Sequence, residues 1–208
     1  MGKTRSIKSL NIDSTVLCCN FVNTQSSWMS VDRYDYFQTY EDFIDWCLKV
    51  NILSQERLLA LRELSVQEPE DAKASLNRVK EIRYILHGLI SAVAKGSEEE
   101  LFHFLPSFNL LLRVEAVSRQ RLIYKERKFV TDQINIDGDL TAPVWLAVES
   151  LATLLVENDL HRIKECPKCG WVFLDETKNG KRKWCNPKYC GTSDKMKRYN
   201  DRKKNIEE

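Results

Sequence analysis

Four cysteines near the C-terminal end of the chain constrain its fold more than any other feature. Cys166 and Cys169 are separated by two residues, Cys185 and Cys190 by four, and fifteen residues lie between the two pairs. This spacing is typical of four thiolates that converge tetrahedrally on one zinc ion. The cysteines therefore predict a closed structural site for one Zn²⁺ per chain, in preference to packed or disulfide-bonded thiols.

The residues around the cysteines predict the order of a treble-clef finger. A glycine follows each pair directly, and both glycines are expected to take a positive φ that turns backbone N–H groups toward the sulfurs. Residues 171–174 should form a strand that leaves the first pair, and residues 181–184 should return toward the second pair as the other arm of a hairpin. Thr192 or Ser193 can then cap a final helix that runs to about residue 205.

The charge of the chain is distributed unevenly. From residue 161 to residue 208 there are 14 Lys and Arg against 7 Asp and Glu, a formal charge of +7, whereas the other 160 residues carry 18 against 23, or −5. A cationic metal-binding segment behind an acidic body favours a polyanionic partner, most simply nucleic acid, and we expect that partner to be duplex DNA. Two groups of cations carry this prediction, one on a face of the final helix and one on the returning arm. The six residues are Lys195, Arg198, Arg202, Lys181, Arg182 and Lys183.

The remainder of the chain predicts a mainly helical body. Apolar residues recur at helical spacing from residue 40 to 112 and again from 141 to 156. Ser54 and Ser97 are expected to cap helices, Gly96 to end one, and Pro106 to kink or break another. Residues 121–124 and 129–136 instead favour a β-hairpin with a charged turn. The fold class is thus α+β, with a body over residues 1–158 and a finger over residues 159–208.

Several functional classes are disfavoured by the sequence. No run approaches the ~20 apolar residues of a membrane span, and the first 30 residues lack the apolar segment of a secretory signal. Reduced thiols and a cytoplasmic location are therefore expected. We expect no enzymatic activity, because the common catalytic motifs are missing and four thiolates leave a zinc ion no open position.

The finger resembles a known family. The pattern Cys-x-x-Cys-Gly-Trp-x-Phe-x-Asp, followed by Arg-Lys-Trp-Cys, four residues and Cys-Gly, is similar to the CGNR zinc finger of bacterial transcription regulators. Those proteins carry an N-terminal ABATE domain, proposed to sense a stress-related ligand, and residues 21–24 and 40–46 resemble it. The resemblance implies that the four cysteines bind zinc and that the protein is a DNA-binding transcription regulator of a stress response. Thr192 and Ser193 depart from it, because the family has Asn and Arg there.

The body contains one candidate ligand site. Asn20 and Asn23 lie in an apolar segment, Arg33 begins a polar aromatic stretch, and a pocket between them would suit a small-molecule effector. The alternative is that both asparagines only bond to the backbone. The body is also a candidate for homodimerisation. A rival interpretation of the whole protein is an RNA-associated or protein-interaction adaptor in which zinc is purely structural.

Overall fold

A computed structural model describes residues 5–113, 120–125, 128–133 and 138–196. Within these ranges the chain forms six complete α-helices, a helical segment over residues 187–196 and two antiparallel two-stranded sheets, which confirms the predicted α+β class. The helices are α1 (Leu17–Val22), α2 (Tyr40–Val50), α3 (Gln55–Gln67), α4 (Pro69–Lys95), α5 (Glu98–Leu111) and α6 (Ala142–Glu157). The strands are β1 (Gln120–Lys125), β2 (Lys128–Gln133), β3 (Ile163–Glu165) and β4 (Val172–Leu174).

Local capping explains where the helices begin and end. Thr39 and Asp42 form a reciprocal capping box at the start of α2, and the side chains of Ser54 and Ser97 accept backbone N–H bonds at the starts of α3 and α5. Gly96 ends α4 with a φ of 65°, a conformation that costs glycine little. The serine caps and the glycine stop were all predicted by the sequence.

The core is centred on α4, which packs against α1, α2, α3, α5 and α6. A fully buried aromatic cluster fills the space between α1 and α2, and its neighbouring ring centroids lie 5.5 to 6.3 Å apart. Its members are Phe21, Phe37, Phe43 and Trp46. The same core continues into β3 and β4 through Ile163 and Val172. Body and finger are therefore packed around shared apolar residues.

The sequence predicted a kink or a break of α5 at Pro106, and the structure shows no break. The helix runs without interruption from Glu98 to Leu111. Pro106 lies on the exposed face, so the backbone carbonyl that loses its N–H partner can be solvated. Phe108 and Leu111, on the buried face, hold the C-terminal half of the helix against the core.

The predicted β-hairpin of the body is confirmed. β1 and β2 pair antiparallel from Gln120 opposite Gln133 to Lys125 opposite Lys128. The turn at 126–127 and residues 134–136 of the predicted second strand lie outside the described residues. No helix in the described part of the chain combines the length and apolar character needed to cross a membrane.

Candidate metal centre and nucleic-acid interface

The four cysteine sulfurs of the finger converge on one point. The Sγ of Cys169 lies 3.5 Å from that of Cys185 and 3.8 Å from that of Cys190, and Cys185 and Cys190 are 3.6 Å apart. All four Sγ atoms, including that of Cys166, lie within 4.8 Å of one another. A tetrahedron with metal–sulfur bonds of about 2.3 Å has edges of about 3.8 Å. The thiols are free and much too far apart for disulfides, so the four ligand atoms fit one tetrahedral metal ion.

The thiols perturb one another strongly. Hydrogen bonding with Cys169 lowers the pKa of the Cys166 thiol, whereas hydrogen bonding with Cys166 raises the pKa of the Cys185 thiol. Four thiols this close cannot all become thiolates unless positive charge balances them. A divalent cation at their centre would supply that charge and deprotonate the whole set.

The first cysteine pair sits at the tip of a hairpin. β3 and β4 are antiparallel, and the Cys166 N–H donates to the Trp171 carbonyl at 2.8 Å. Gly170 turns the chain between the pair and β4 with a φ of 74°, as predicted. A Cβ at Gly170 would also lie 2.8 Å from the Cβ of Trp28, so a side chain is excluded on both grounds.

The strand pairing in the finger differs from the prediction. β4 pairs with residues 163–165, which precede the first cysteine pair, and residues 181–184 form no strand. The buried Asp175 carboxylate explains the difference, because it accepts bonds from the N–H and hydroxyl of Thr177 and from the Arg182 N–H. These bonds fold residues 175–182 into a compact loop that carries the chain to the second cysteine pair.

The second cysteine pair lies in a helical turn that begins earlier than predicted. Asn186, rather than Thr192 or Ser193, is the cap, and a π-helical turn spans Pro187–Gly191 before helix continues to residue 196. The predicted positive φ at Gly191 was also wrong. Gly191 is needed for close packing instead, since a Cβ there would lie 3.0 Å from the Trp184 ring. The predicted extension of the helix to about residue 205 lies outside the described residues.

A loop of the body contacts the turn that carries the first cysteine pair. The Trp28 N–H donates to the Cys169 carbonyl at 2.7 Å, and its indole stacks on the His87 imidazole with centroids 3.8 Å apart. His87 Nε2 in turn lies 2.9 Å from the Gly170 carbonyl. Burial lowers the pKa of His87 to about 4, so the ring is neutral near pH 7 and donates this bond from Nε2. Trp28 and His87 thereby fix the position of the metal-binding turn.

Side-chain amides join the body to the rest of the finger. Asn23, which is only 7% exposed, donates to the Val172 carbonyl at 2.9 Å and accepts from the Val172 N–H at 3.1 Å. Near the second cysteine pair, the Asn186 amide donates to the Asp13 carboxylate at 3.1 Å. Both halves of the metal site are therefore anchored to the helical body.

Polar residues at every fourth position of α4 extend this anchorage. Arg83, only 1% exposed, forms a bidentate ion pair with Asp35 and also donates to Thr24. His87 follows one turn later. Ser91 and Lys95, one and two turns beyond His87, both contact the Glu165 carboxylate of β3. The spacing 83, 87, 91, 95 places all four side chains on one slowly winding face of α4, but nothing in the sequence near His87 links it to the finger.

The predicted ligand residues of the body are engaged with the protein itself. Asn20 exchanges two bonds with the Ser14 backbone, at 2.8 and 3.2 Å, and Asn23 is paired with Val172. The cavity beside them measures about 20 Å³, the room of a single water molecule. Arg33 lies over the Trp28 ring at 5.9 Å. These contacts match the structural alternative, and ligand binding by the three residues stays a prediction.

The predicted cationic residues that the structure describes divide into three exposed lysines and one inward-facing arginine. Lys181, Lys183 and Lys195 are exposed, and no described carboxylate forms an ion pair with them. Arg182 instead points inward, where its guanidinium donates to the Trp184 and Cys185 carbonyls and lies 4.5 Å from the Phe173 ring centroid. Arg198 and Arg202 lie outside the described residues.

These features define a class of protein, in which a helical α+β body carries a docked finger with four cysteine ligands. Comparison of the sequence with family models agrees with this division into a body and a finger. Residues 15–158 match the ABATE family, described as "Putative stress-induced transcription regulator", and residues 162–203 match the CGNR zinc finger. The chain belongs to the ABATE family and has a CGNR zinc finger. Comparison with curated proteins gives no match.

Proposed function

We propose that the protein is a zinc-dependent regulator of transcription that binds duplex DNA through its finger. The observation that carries the proposal is the set of exposed, unpaired lysines on a scaffold held by the four cysteines. Lys181 and Lys183 project from the segment before Cys185, and Lys195 follows Cys190. Cations fixed in this way bind phosphates with little further ordering, and phosphate contacts supply most nonspecific affinity for DNA.

The aromatic residues beside these lysines support a nucleic-acid partner. Tyr189 is 67% exposed on the turn between the second pair of cysteines, and Lys183 Nζ lies 5.1 Å from the Trp184 ring centroid. Lys188 is exposed next to Tyr189. We exclude Arg182 from the proposed surface because its guanidinium is turned inward and donates from Nε and Nη2 to backbone carbonyls. The contacts predicted for Arg198 and Arg202 would extend the surface along the helix.

We also propose that the division near residue 158 is functional. Residues 159–208 provide the DNA contacts, and residues 1–158 provide the support that orients them. The shared core and the hydrogen bond from Trp28 to Cys169 favour this arrangement, since they hold the finger in one orientation. An effector site in the body and a cytoplasmic location are predictions that accompany the family assignment.

A salt series of duplex-DNA binding tests the proposal. Fluorescence anisotropy with a labelled duplex should show log Kd rising steeply with log salt, and the double variant Lys181→Ala/Lys183→Ala should reduce the slope by about 1.8, or about 0.9 per lost phosphate contact. The matched control is Lys8→Ala/Lys73→Ala, two exposed lysines of the body. This control should keep the parent slope.

Two outcomes would count against DNA as the partner. If the finger and control variants change the slope equally, the exposed lysines of the finger are not the contact surface. If the protein binds single-stranded or duplex RNA as tightly as DNA, or binds neither, the RNA-associated or protein-interaction adaptor becomes the better interpretation.

A further inference from the structure

An apolar stripe on α5 faces the solvent. Phe102 and Leu110 are 69% and 63% exposed, and Pro106, midway between them, is exposed as well. Residues four apart lie along one side of a helix, and this side is opposite the one that buries Phe108 and Leu111. Large apolar side chains grouped in this way are typical of an interaction surface.

The stripe is self-complementary about Pro106. Phe102 lies four residues before it and Leu110 four residues after it, while Glu99 and Arg113 lie seven residues before and after. At about 100° per residue, Glu99 projects within about 20° of the direction of Pro106, so it shares one face with Phe102 and Leu110. Arg113 is exposed in the helical turn that continues this end of α5 beyond Leu111. Glu99 and Arg113 are exposed, and neither has an ion-pair partner in the part of the chain that the structure describes.

We infer that this face of α5 is the interface of a symmetric homodimer. When a second copy of α5 packs antiparallel about an axis through Pro106, each Phe102 meets the partner's Leu110. Each Glu99 meets the partner's Arg113 in the same arrangement. Such an isologous contact uses one patch twice, which is what the symmetry of the sequence about Pro106 provides. The reverse, parallel packing would place Glu99 beside Glu99 and Arg113 beside Arg113.

The size of the face sets the expected affinity. One helix from each subunit buries an area near the lower end of specific interfaces, about 1,200 Å² in total. Small interfaces of this kind dissociate with a Kd on the order of micromolar. The dimer does not depend on the proposed DNA binding. If both hold, two fingers fixed to a twofold body would suit an inverted-repeat DNA site.

Analytical ultracentrifugation of the full chain tests the inference. From about 1 to about 100 μM the protein should pass from monomer to dimer, the range that brackets a micromolar Kd. The variant Phe102→Asp/Leu110→Asp should raise the Kd about 100-fold or more, because four carboxylates would be desolvated at the centre of the interface. The matched control is Val66→Asp, a residue 78% exposed on α3, which should leave the Kd unchanged.

A charge swap tests the antiparallel arrangement. Glu99→Arg alone should raise the Kd about 5- to 10-fold, since both symmetric ion pairs become repulsive, and Arg113→Glu should do the same. The double variant Glu99→Arg/Arg113→Glu should return to the parent Kd. Far-UV circular dichroism should show equal helix content throughout, because the substituted side chains are exposed. A monomer at all concentrations, a dimer that persists in the aspartate variant, or a swap that restores nothing would each overturn the inference.

Discussion

Asn23 offers the sharpest test of how the finger is held. In Asn23→Ala both the N–H and the carbonyl of Val172 lose their partner, in a place where Val172 is fully buried. A buried backbone group left without a hydrogen bond costs about 1–3 kcal/mol, so the two together should lower the free energy of unfolding by about 2–6 kcal/mol. Proteins of this kind are stable by about 5–15 kcal/mol, so the loss is a large fraction of the total.

Urea denaturation followed by tryptophan fluorescence measures this change. The control is Asn20→Ala, which also removes two backbone hydrogen bonds, but from the partly exposed Ser14, and water can replace them. The control should cost about 1 kcal/mol or less. Hydrogen exchange at the Val172 amide should accelerate only in Asn23→Ala. If the two variants are equally stable, the Asn23 contact does not hold the finger, and a ligand role for Asn23 would regain support.

Three further predictions concern the metal, the pH and a glycine. Protein purified without chelator should contain about one zinc per chain with metal–sulfur distances near 2.3 Å by X-ray absorption, and iron–sulfur absorption or no metal would contradict the assigned site. The pKa of His87 is about 4 in the folded protein and ordinarily 6.5. As the pH falls, the unfolded chain therefore takes up a proton at this residue before the folded protein does. The free energy of unfolding should decrease as the pH falls from 6.5 toward 4. Urea denaturation at pH 7.5 and pH 5 should show that the parent protein loses about 2 kcal/mol more stability than His87→Asn over this interval. If the stability difference between the two proteins is the same at both pH values, the prediction is wrong. Gly170→Ala should cost about 2–4 kcal/mol, through its positive φ and the clash with Trp28, whereas Gly96→Ala, with a similar φ and open space, should cost about 1–2 kcal/mol. Equal thermal stability of the two glycine variants would show that the contact with Trp28 is loose.

The parts of the fold that the sequence predicted are those with local signals. Ser54, Gly96 and Ser97 act on backbone groups within a few residues of themselves, so the ends of α3, α4 and α5 follow from short stretches of sequence. The four cysteines are likewise a short-range pattern. Their convergence follows from spacing that metal sites use repeatedly.

The parts that the sequence did not predict depend on distant residues. Asn23 meets Val172 across 149 positions, and Trp28 meets Cys169 across a similar separation, with no local pattern that links them. The strand partner of β4 was misplaced for a related reason. The basic segment at 181–184 can alternate like a strand, but Asp175 holds the intervening loop and β3 occupies the available edge.

The four polar residues on α4 fix the number of residues that the helix can have between Arg83 and Lys95. Each step from Arg83 to Lys95 spans four residues, and the partners of these side chains, Asp35, Gly170 and Glu165, occupy fixed places around the helix. Inserting or deleting one residue between Arg83 and Lys95 would rotate everything beyond it by about 100° and shift it by about 1.5 Å. The finger would then lose its supports together, not one at a time. Relatives that keep this docking should therefore vary in the loops that flank α4 while keeping its register of thirteen residues unchanged.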